Sequence, residues 1–73
     1  MERNIDILDV VALTEDLSER ALYRGQVGTV VENLAPGVFE VEFSDNEGRA
    51  YAMLALEEGQ FMLLHHEPLR EAG

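Results

Sequence analysis

The sequence predicts an all-β fold, a small five-stranded barrel, on the basis of three observations. Residues 39–43 alternate strictly between apolar and acidic side chains, which is typical of an antiparallel strand with one solvated face. Residues 24–32 form a β-rich run that is entered through paired glycines, and a turn containing Pro36 and Gly37 joins the two runs, as in a β-hairpin. Further short apolar runs, separated by turn residues, supply the remaining strands.

The first half of the chain contains two predicted strands separated by a long loop. Residues 7–13 are apolar, β-branched and few in number, which predicts the first strand. Residues 14–24 have no clean period but resemble helix starts, which indicates a loop with one helical turn. Residues 27–34 form the second predicted strand. Gly25 and Gly28 lie at its entry, where glycine permits a positive φ or a bulge.

The second half of the chain contains three more predicted strands. Residues 38–43 form the third strand, and the turn composition of residues 44–48 ends it. The fourth strand follows at residues 49–56. Residues 57–60 break it as a single helical turn, and residues 61–64 form a short final strand.

The apolar faces of these strands define the expected core. It consists of Val11, Leu13, Val27, Val30, Phe39, Val41, Phe43 and Leu54. We expect one domain over residues 1–73, with the folded part at about residues 7–64 and a polar C-terminal tail at residues 65–73.

Length and composition limit the classes of protein that the chain can represent. The 73 residues include no cysteine, so neither a disulfide nor a thiolate metal site can stabilise the small core. The longest apolar run is far shorter than the roughly 20 residues that span a bilayer, and the first residues are polar, unlike a signal peptide. We therefore expect a soluble protein of the cytoplasm without membrane contact.

The charge is strongly acidic. Fifteen Asp and Glu residues oppose five Arg residues, and the net charge is −10. Such a chain repels phosphate backbones, whereas proteins that bind nucleic acid usually carry a basic patch. The charge either keeps the protein soluble or complements a basic protein partner; the sequence leaves both explanations open.

Three runs carry a resemblance to known proteins: residues 9–13 (DVVAL), 24–32 (RGQVGTVVE) and 39–43 (FEVEF). They resemble an SH3-like barrel of the KOW and CAP-Gly type. More closely, residues 7–64 resemble a family of short bacterial proteins that is known only as a domain of unknown function. The resemblance implies a five-stranded SH3-like barrel without catalytic residues.

The resemblance also implies a direction for function. Members of that family look like proteins that neighbour toxin-like or nuclease-like partners. Such a position suits an antitoxin or immunity role. KOW relatives bind RNA or ribosomal proteins, but this chain lacks their basic surface. CAP-Gly relatives bind acidic carboxyl termini through an aromatic groove motif that is absent here.

No pattern in the sequence predicts catalysis, a cofactor or a metal site. His65 and His66 are adjacent, so on an extended chain their side chains point to opposite sides and do not chelate one ion well. The carboxylates within residues 45–47 lack the long loop and terminal glutamate of a calcium site. Gly25 and Gly28 lack the following helix and the lysine of a phosphate-binding loop. We therefore expect a protein that is not an enzyme.

The fourth strand departs from the expected alternation, because residues 51–56 are apolar on both faces. Either the outward face is an interface, since methionine and tyrosine are enriched at protein interfaces, or the loop at residues 14–24 covers it. We predict that the partner-binding residues are Glu32, Glu40, Glu42, Tyr51 and Met53.

Three functions compete at this point. The first is a protein-binding module, such as an antitoxin or immunity-type neutraliser, that blocks a basic partner sterically. The second is a KOW-like module associated with nucleic acid or ribosomes, for which Arg20, Arg24 and Arg49 are the useful cations. The third is a structural homo-oligomer subunit that uses the same apolar strands.

Overall fold

The computed structural model describes residues 4–68. It contains five strands and two single-turn 3₁₀ helices, and no α-helix occurs within these residues. The strands are β1 (Val10–Leu13), β2 (Val27–Ala35), β3 (Val38–Ser44), β4 (Ala50–Glu57) and β5 (Phe61–Leu63), with η1 (Ser18–Arg20) between β1 and β2 and η2 (Glu58–Gln60) between β4 and β5. The prediction of an all-β domain with five short strands is confirmed. Of the predicted polar tail, residues 69–73 lie outside the described residues.

The five strands form one antiparallel sheet in the order β4-β3-β2-β1-β5. Two hairpins build most of it. In the first, Gly37 takes the left-handed φ of +76° that its turn requires. The side-chain amide of Asn33 closes that turn by donating to the carbonyls of Ala35 and Val38, at 2.9 and 3.1 Å. β4 and β5 are the two edges of the sheet and do not pair with each other, so the sheet is not closed.

The sheet is strongly curved around its core. The rings of Phe39 in β3 and Phe61 in β5 meet edge to face with centroids 6.0 Å apart, although β2 and β1 lie between the two strands. In a flat sheet, three strand spacings would separate them by about 14 Å. The core therefore fills the concave side. Its buried members are Val11, Leu13, Leu22, Val30, Phe39, Val41, Phe43, Leu54, Leu56 and Phe61.

The first strand is shorter than predicted, because residues 6–9 form a turn. The Asp9 amide donates to the Asp6 carbonyl at 3.0 Å, and the Asp6 amide donates to the Asp9 carboxylate at 2.8 Å. Leu8 has a positive φ of 78° inside this turn, which is incompatible with a strand. The strand therefore begins only at Val10.

The assignment of Val27 to the core is wrong, since its side chain is 46% exposed. Side chains alternate along a strand, so Val27 and Val30 cannot share a face unless a bulge lies between them. The irregularities of β2 lie after Val30, between Val30 and Glu32 and between Asn33 and Ala35. Val30 and Gly28 therefore take the core side, and Val27 takes the outer side.

The prediction of a bulge at Gly28 is also wrong, although a glycine is required there. Gly28 lies in regular register between Val11 and Phe43 and does not have a positive φ. A Cβ atom at this position would lie 2.7 Å from Cγ1 of Val41 and 3.0 Å from the carbonyl oxygen of Glu42. Close packing against β3, not backbone conformation, excludes a side chain.

Candidate protein-binding face

The side of the sheet opposite the core, here called the outer face, brings together four of the five predicted partner-binding residues, Glu32, Glu40, Glu42 and Met53. Met53 in β4 lies directly opposite Glu42 in β3. Two residues before Glu42 in β3, Glu40 lies opposite Glu32 in β2. Tyr51 also belongs to β4, but it falls at the register irregularity between the pairs Phe43–Ala52 and Ser44–Ala50, so alternation does not place it on the outer face. Residues spread over more than twenty positions of sequence thus form one continuous surface.

The acidic residues of this face form no ion pair with a cation among residues 4–68. Glu32 and Glu40 are directly opposed across β2 and β3, a placement in which like charges repel. Among residues 4–68, the ion pairs are those of Arg49 with Asp45 and Glu47 in the β3–β4 turn. Nothing in the described part of the chain therefore neutralises the carboxylates on β2 and β3.

The apolar side chain of Met53 lies beside these carboxylates and is open to solvent, as is that of Tyr51 near the start of β4. Tyr51 is 50% exposed and Met53 is 46% exposed. The Tyr51 hydroxyl accepts a hydrogen bond of 3.1 Å from Nε2 of Gln26, and its ring lies 6.4 Å from that of Phe43. The tyrosine is thus held in place from two sides while half of its surface faces solvent.

The loop between β1 and β2 does not cover the outer face, so that alternative is wrong. Leu22 is 1% exposed and belongs to the core cluster, against which Leu17 also packs. Backbone hydrogen bonds in both directions, at 2.7 and 3.2 Å, pair Leu17 with Leu22. The loop therefore turns its leucines toward the core and leaves Tyr23 49% exposed.

The sequence analysis missed a second apolar strip on the outer face. Ala12 in β1 lies between Val27 and Met62, its partners in β2 and β5. Val27 and Met62 are 46% and 47% exposed, and Ala12 between them is 8% exposed. Strict alternation around the core residues Val11 and Phe61 was the signal that could have identified this strip.

The described residues offer little for other chemistry. They contain no group of three His, Asp or Glu side chains that could hold a metal ion. His65 and His66 line an open depression of about 340 Å³ together with Asp9 and Glu67. No helix within residues 4–68 has the length and apolar character needed to cross a membrane.

Comparison with known proteins gives one match. A family model described as Domain of unknown function (DUF4926) matches residues 7–63, from the turn before β1 to the end of β5. The predicted resemblance to a domain family of unknown function is thereby confirmed. No curated protein and no solved structure matches the chain, so the relation to SH3-like and KOW barrels stays a prediction.

Proposed function

The chain belongs to the DUF4926 family, a domain family of unknown function, and we propose that it is a non-enzymatic module that binds a basic protein through its outer face. One observation carries this proposal. A cluster of carboxylates on β2 and β3 has no cation among the described residues, and exposed Met53 lies directly opposite one of them, Glu42.

The acidic and the apolar residues of this surface affect different steps of binding, association and dissociation. Lysine or arginine side chains of a partner would remove the repulsion between Glu32 and Glu40 and pair with Glu42, and such charges chiefly raise the association rate. Met53 would be desolvated in the contact, where apolar anchors chiefly slow dissociation.

The finer proposal is a neutraliser of the antitoxin or immunity type that acts in the cytoplasm. A chain with a net charge of −10 and no cysteine suits a reducing compartment and a strongly basic partner. Many basic surfaces bind phosphate backbones, and a protein that covers such a surface would block it sterically. The genomic neighbourhood offers an inexpensive check, since an adjacent basic nuclease-like reading frame favours this proposal.

The two alternatives have less support from the surface. A KOW-like nucleic-acid module needs free cations, yet Arg49 is paired with Asp45 and Glu47. A homo-oligomer would bring together two chains that each carry a net charge of −10, which opposes self-association.

The test is a comparative capture with matched charge variants. Immobilised wild type, the double variant Glu40→Gln/Glu42→Gln and the control Glu19→Gln/Glu67→Gln are exposed to native host lysate, followed by mass spectrometry. Both variants lose two charges, but the control residues lie in η1 and after β5, off the outer face. We expect a basic protein on wild type and control that is lost from the Glu40→Gln/Glu42→Gln variant.

The purified partner then tests the apolar anchor. Met53→Thr removes the thioether and introduces a β-branched residue that suits a strand; aspartate is avoided because it would face Glu42. We expect the dissociation rate to rise about tenfold, with a melting temperature within a few degrees of wild type. A partner whose binding is unchanged in both the Met53 and the Glu40/Glu42 variants would contradict the outer face as the interface.

A further inference from the structure

We propose that the partner presents an extended basic segment, which adds to the sheet as a new antiparallel strand along the free edge of β4. This inference rests on the proposed function and specifies its mode of recognition. Addition of a strand to an exposed sheet edge is a recurring way to bind peptides, in which backbone hydrogen bonds give affinity and alternate side chains give specificity.

The two edges of the sheet differ in how open they are. β5 has three residues, whereas β4 has eight, and short edge strands are poor templates for pairing. Proteins also protect edges with lysine, proline or other charged residues. Between Ala50 and Leu56, β4 has none of these; its one charged residue is Glu57 at the end. From Ala52 to Leu56 the edge of β4 is therefore regular and unprotected; the register irregularity of the strand lies before this stretch, at Tyr51.

The register identifies the backbone groups that face outward. The amide of Glu58 donates to the carbonyl of Gly37 at 3.1 Å, so this pair and every second pair after it are hydrogen bonded across β3 and β4. Met53 and Ala55 fall in the intervening pairs, and their N–H and C=O groups point away from β3. Further along, the Glu57 amide is occupied by Oε1 of Gln60 at 2.9 Å.

Charge selects the occupant of this edge. In an antiparallel added strand, the residues opposite Met53 and Ala55 project their side chains onto the outer face. Glu42 and Glu40 lie opposite Met53 and Ala55 on the other side, about 10 Å from the added strand. Long basic side chains can cover Met53 and Ala55 with their aliphatic stems and place their charges near these carboxylates. A second copy of this chain pairing through its own β4 would bring an apolar strand and no cation for these carboxylates.

The first experiment uses a short capped peptide in which lysine alternates with valine. The amides of Met53 and Ala55 should exchange rapidly with solvent in the free protein, whereas those of Leu54 and Leu56 are bonded to β3 and should exchange slowly. We expect the peptide to slow the exchange of Met53 and Ala55. Wild type that shows no such protection at millimolar peptide would overturn the inference.

Methylated peptides test the backbone contact without altering the protein. In the proposed arrangement, the lysine N–H groups point toward β4 and the valine N–H groups point away. N-methylation of the lysines should weaken binding at least about tenfold, while N-methylation of the valines should leave it within about twofold. Equal affinity of the two methylated peptides would overturn strand addition, since charge and composition are the same.

Matched variants at Ala55 extend the test to the partner itself. Ala55→Pro removes the outward donor at a position where an edge strand accepts proline, and Ala55→Val adds bulk but keeps the donor. We expect the partner to lose at least about tenfold in affinity for Ala55→Pro and to keep its affinity for Ala55→Val. If the partner binds Ala55→Pro and Ala55→Val equally but no longer binds Glu40→Gln/Glu42→Gln, strand addition is rejected while the proposed function stands. If Ala55→Pro does not fold, the methylated peptides decide.

Discussion

At the scale of single residues, Gly28 determines how closely β2 and β3 pack. A Cβ atom there would approach Val41 to 2.7 Å and the backbone of Glu42 to 3.0 Å, and backbone cannot move aside as a flexible side chain can. We expect Gly28→Ala to lower the free energy of unfolding by about 1–3 kcal/mol, measured by urea denaturation. Gly59→Ala is the control, since nothing lies within 4 Å of its Cβ position. Equal stability of the two variants would contradict this account.

A second residue, Ala21, is strained by its backbone conformation and not by close packing. Ala21 ends η1 with a left-handed φ of 56° and ψ of 37°, a conformation that favours glycine. Ala21→Gly should therefore raise the free energy of unfolding by about 0.5–1 kcal/mol, measured by the same denaturation. At Ala55, in the extended backbone of β4, the same substitution should destabilise by a similar amount. A loss of stability at both positions would show that Ala21 is not strained.

At the scale of elements, β2 and β3 pair with a repulsive contact. Glu32 and Glu40 are directly opposed, and opposed like charges on neighbouring strands are destabilising. Glu40→Gln should raise the free energy of unfolding by about 0.2–1 kcal/mol at low salt. The gain should vanish near 1 M salt, where the Debye length is about 3 Å and the two carboxylates are screened from each other. Thermal melting at both salt concentrations measures it.

The control for this prediction is Glu19→Gln, which removes the same charge from η1 instead of the sheet. If Glu19→Gln and Glu40→Gln stabilise equally, the effect comes from net charge and not from the cross-strand pair. Suppose that Glu40→Gln is more stable than wild type and that Glu40→Gln/Glu42→Gln loses partner binding. The carboxylates of the outer face then lower the stability of the fold while they serve recognition.

At the scale of the whole molecule, the net charge of −10 excludes one class of ligand. Release of counterions by basic residues supplies most non-specific affinity for nucleic acid, and this chain has few cations with which to release them. We expect no binding to mixed-sequence duplex DNA or RNA at physiological salt, measured by fluorescence anisotropy of a labelled duplex. Micromolar, salt-sensitive binding would contradict the prediction and favour a KOW-like function.

The strands and turns were predictable because they depend on local order along the chain. Alternation places Phe39 and Val41 in the core and Glu40 on the outer face, and positive φ at Gly37 and Gly48 marks the hairpin turns. The start of β1 was not predictable, since Ile7 and Leu8 extend the apolar run of residues 10–13 toward the N-terminus. A turn closed by Asp6 and Asp9 displaces it.

The candidate site was predictable as a set of residues but not as a surface. An irregularity of β4 at Tyr51 separates that residue from the predicted set, whereas the alternation of β3 and the apolar run of β4 identify Glu40, Glu42 and Met53 from the sequence alone. Their adjacency to Glu32 depends on the register and the irregularities of β2, which involve contacts between strands and leave no local signal.

The sequence by itself determined the alternating faces of the strands, the positions of most turns and the acidic charge. The faces depend on the two-residue period of a strand, the turns on their residue types and the charge on composition. Only the tertiary structure decided where the loop leucine Leu22 packs, why Gly28 excludes a side chain and that β4 is an edge strand of the sheet. These features arise when distant segments pack around one curved core, and the free energy of that packing is not contained in any single segment.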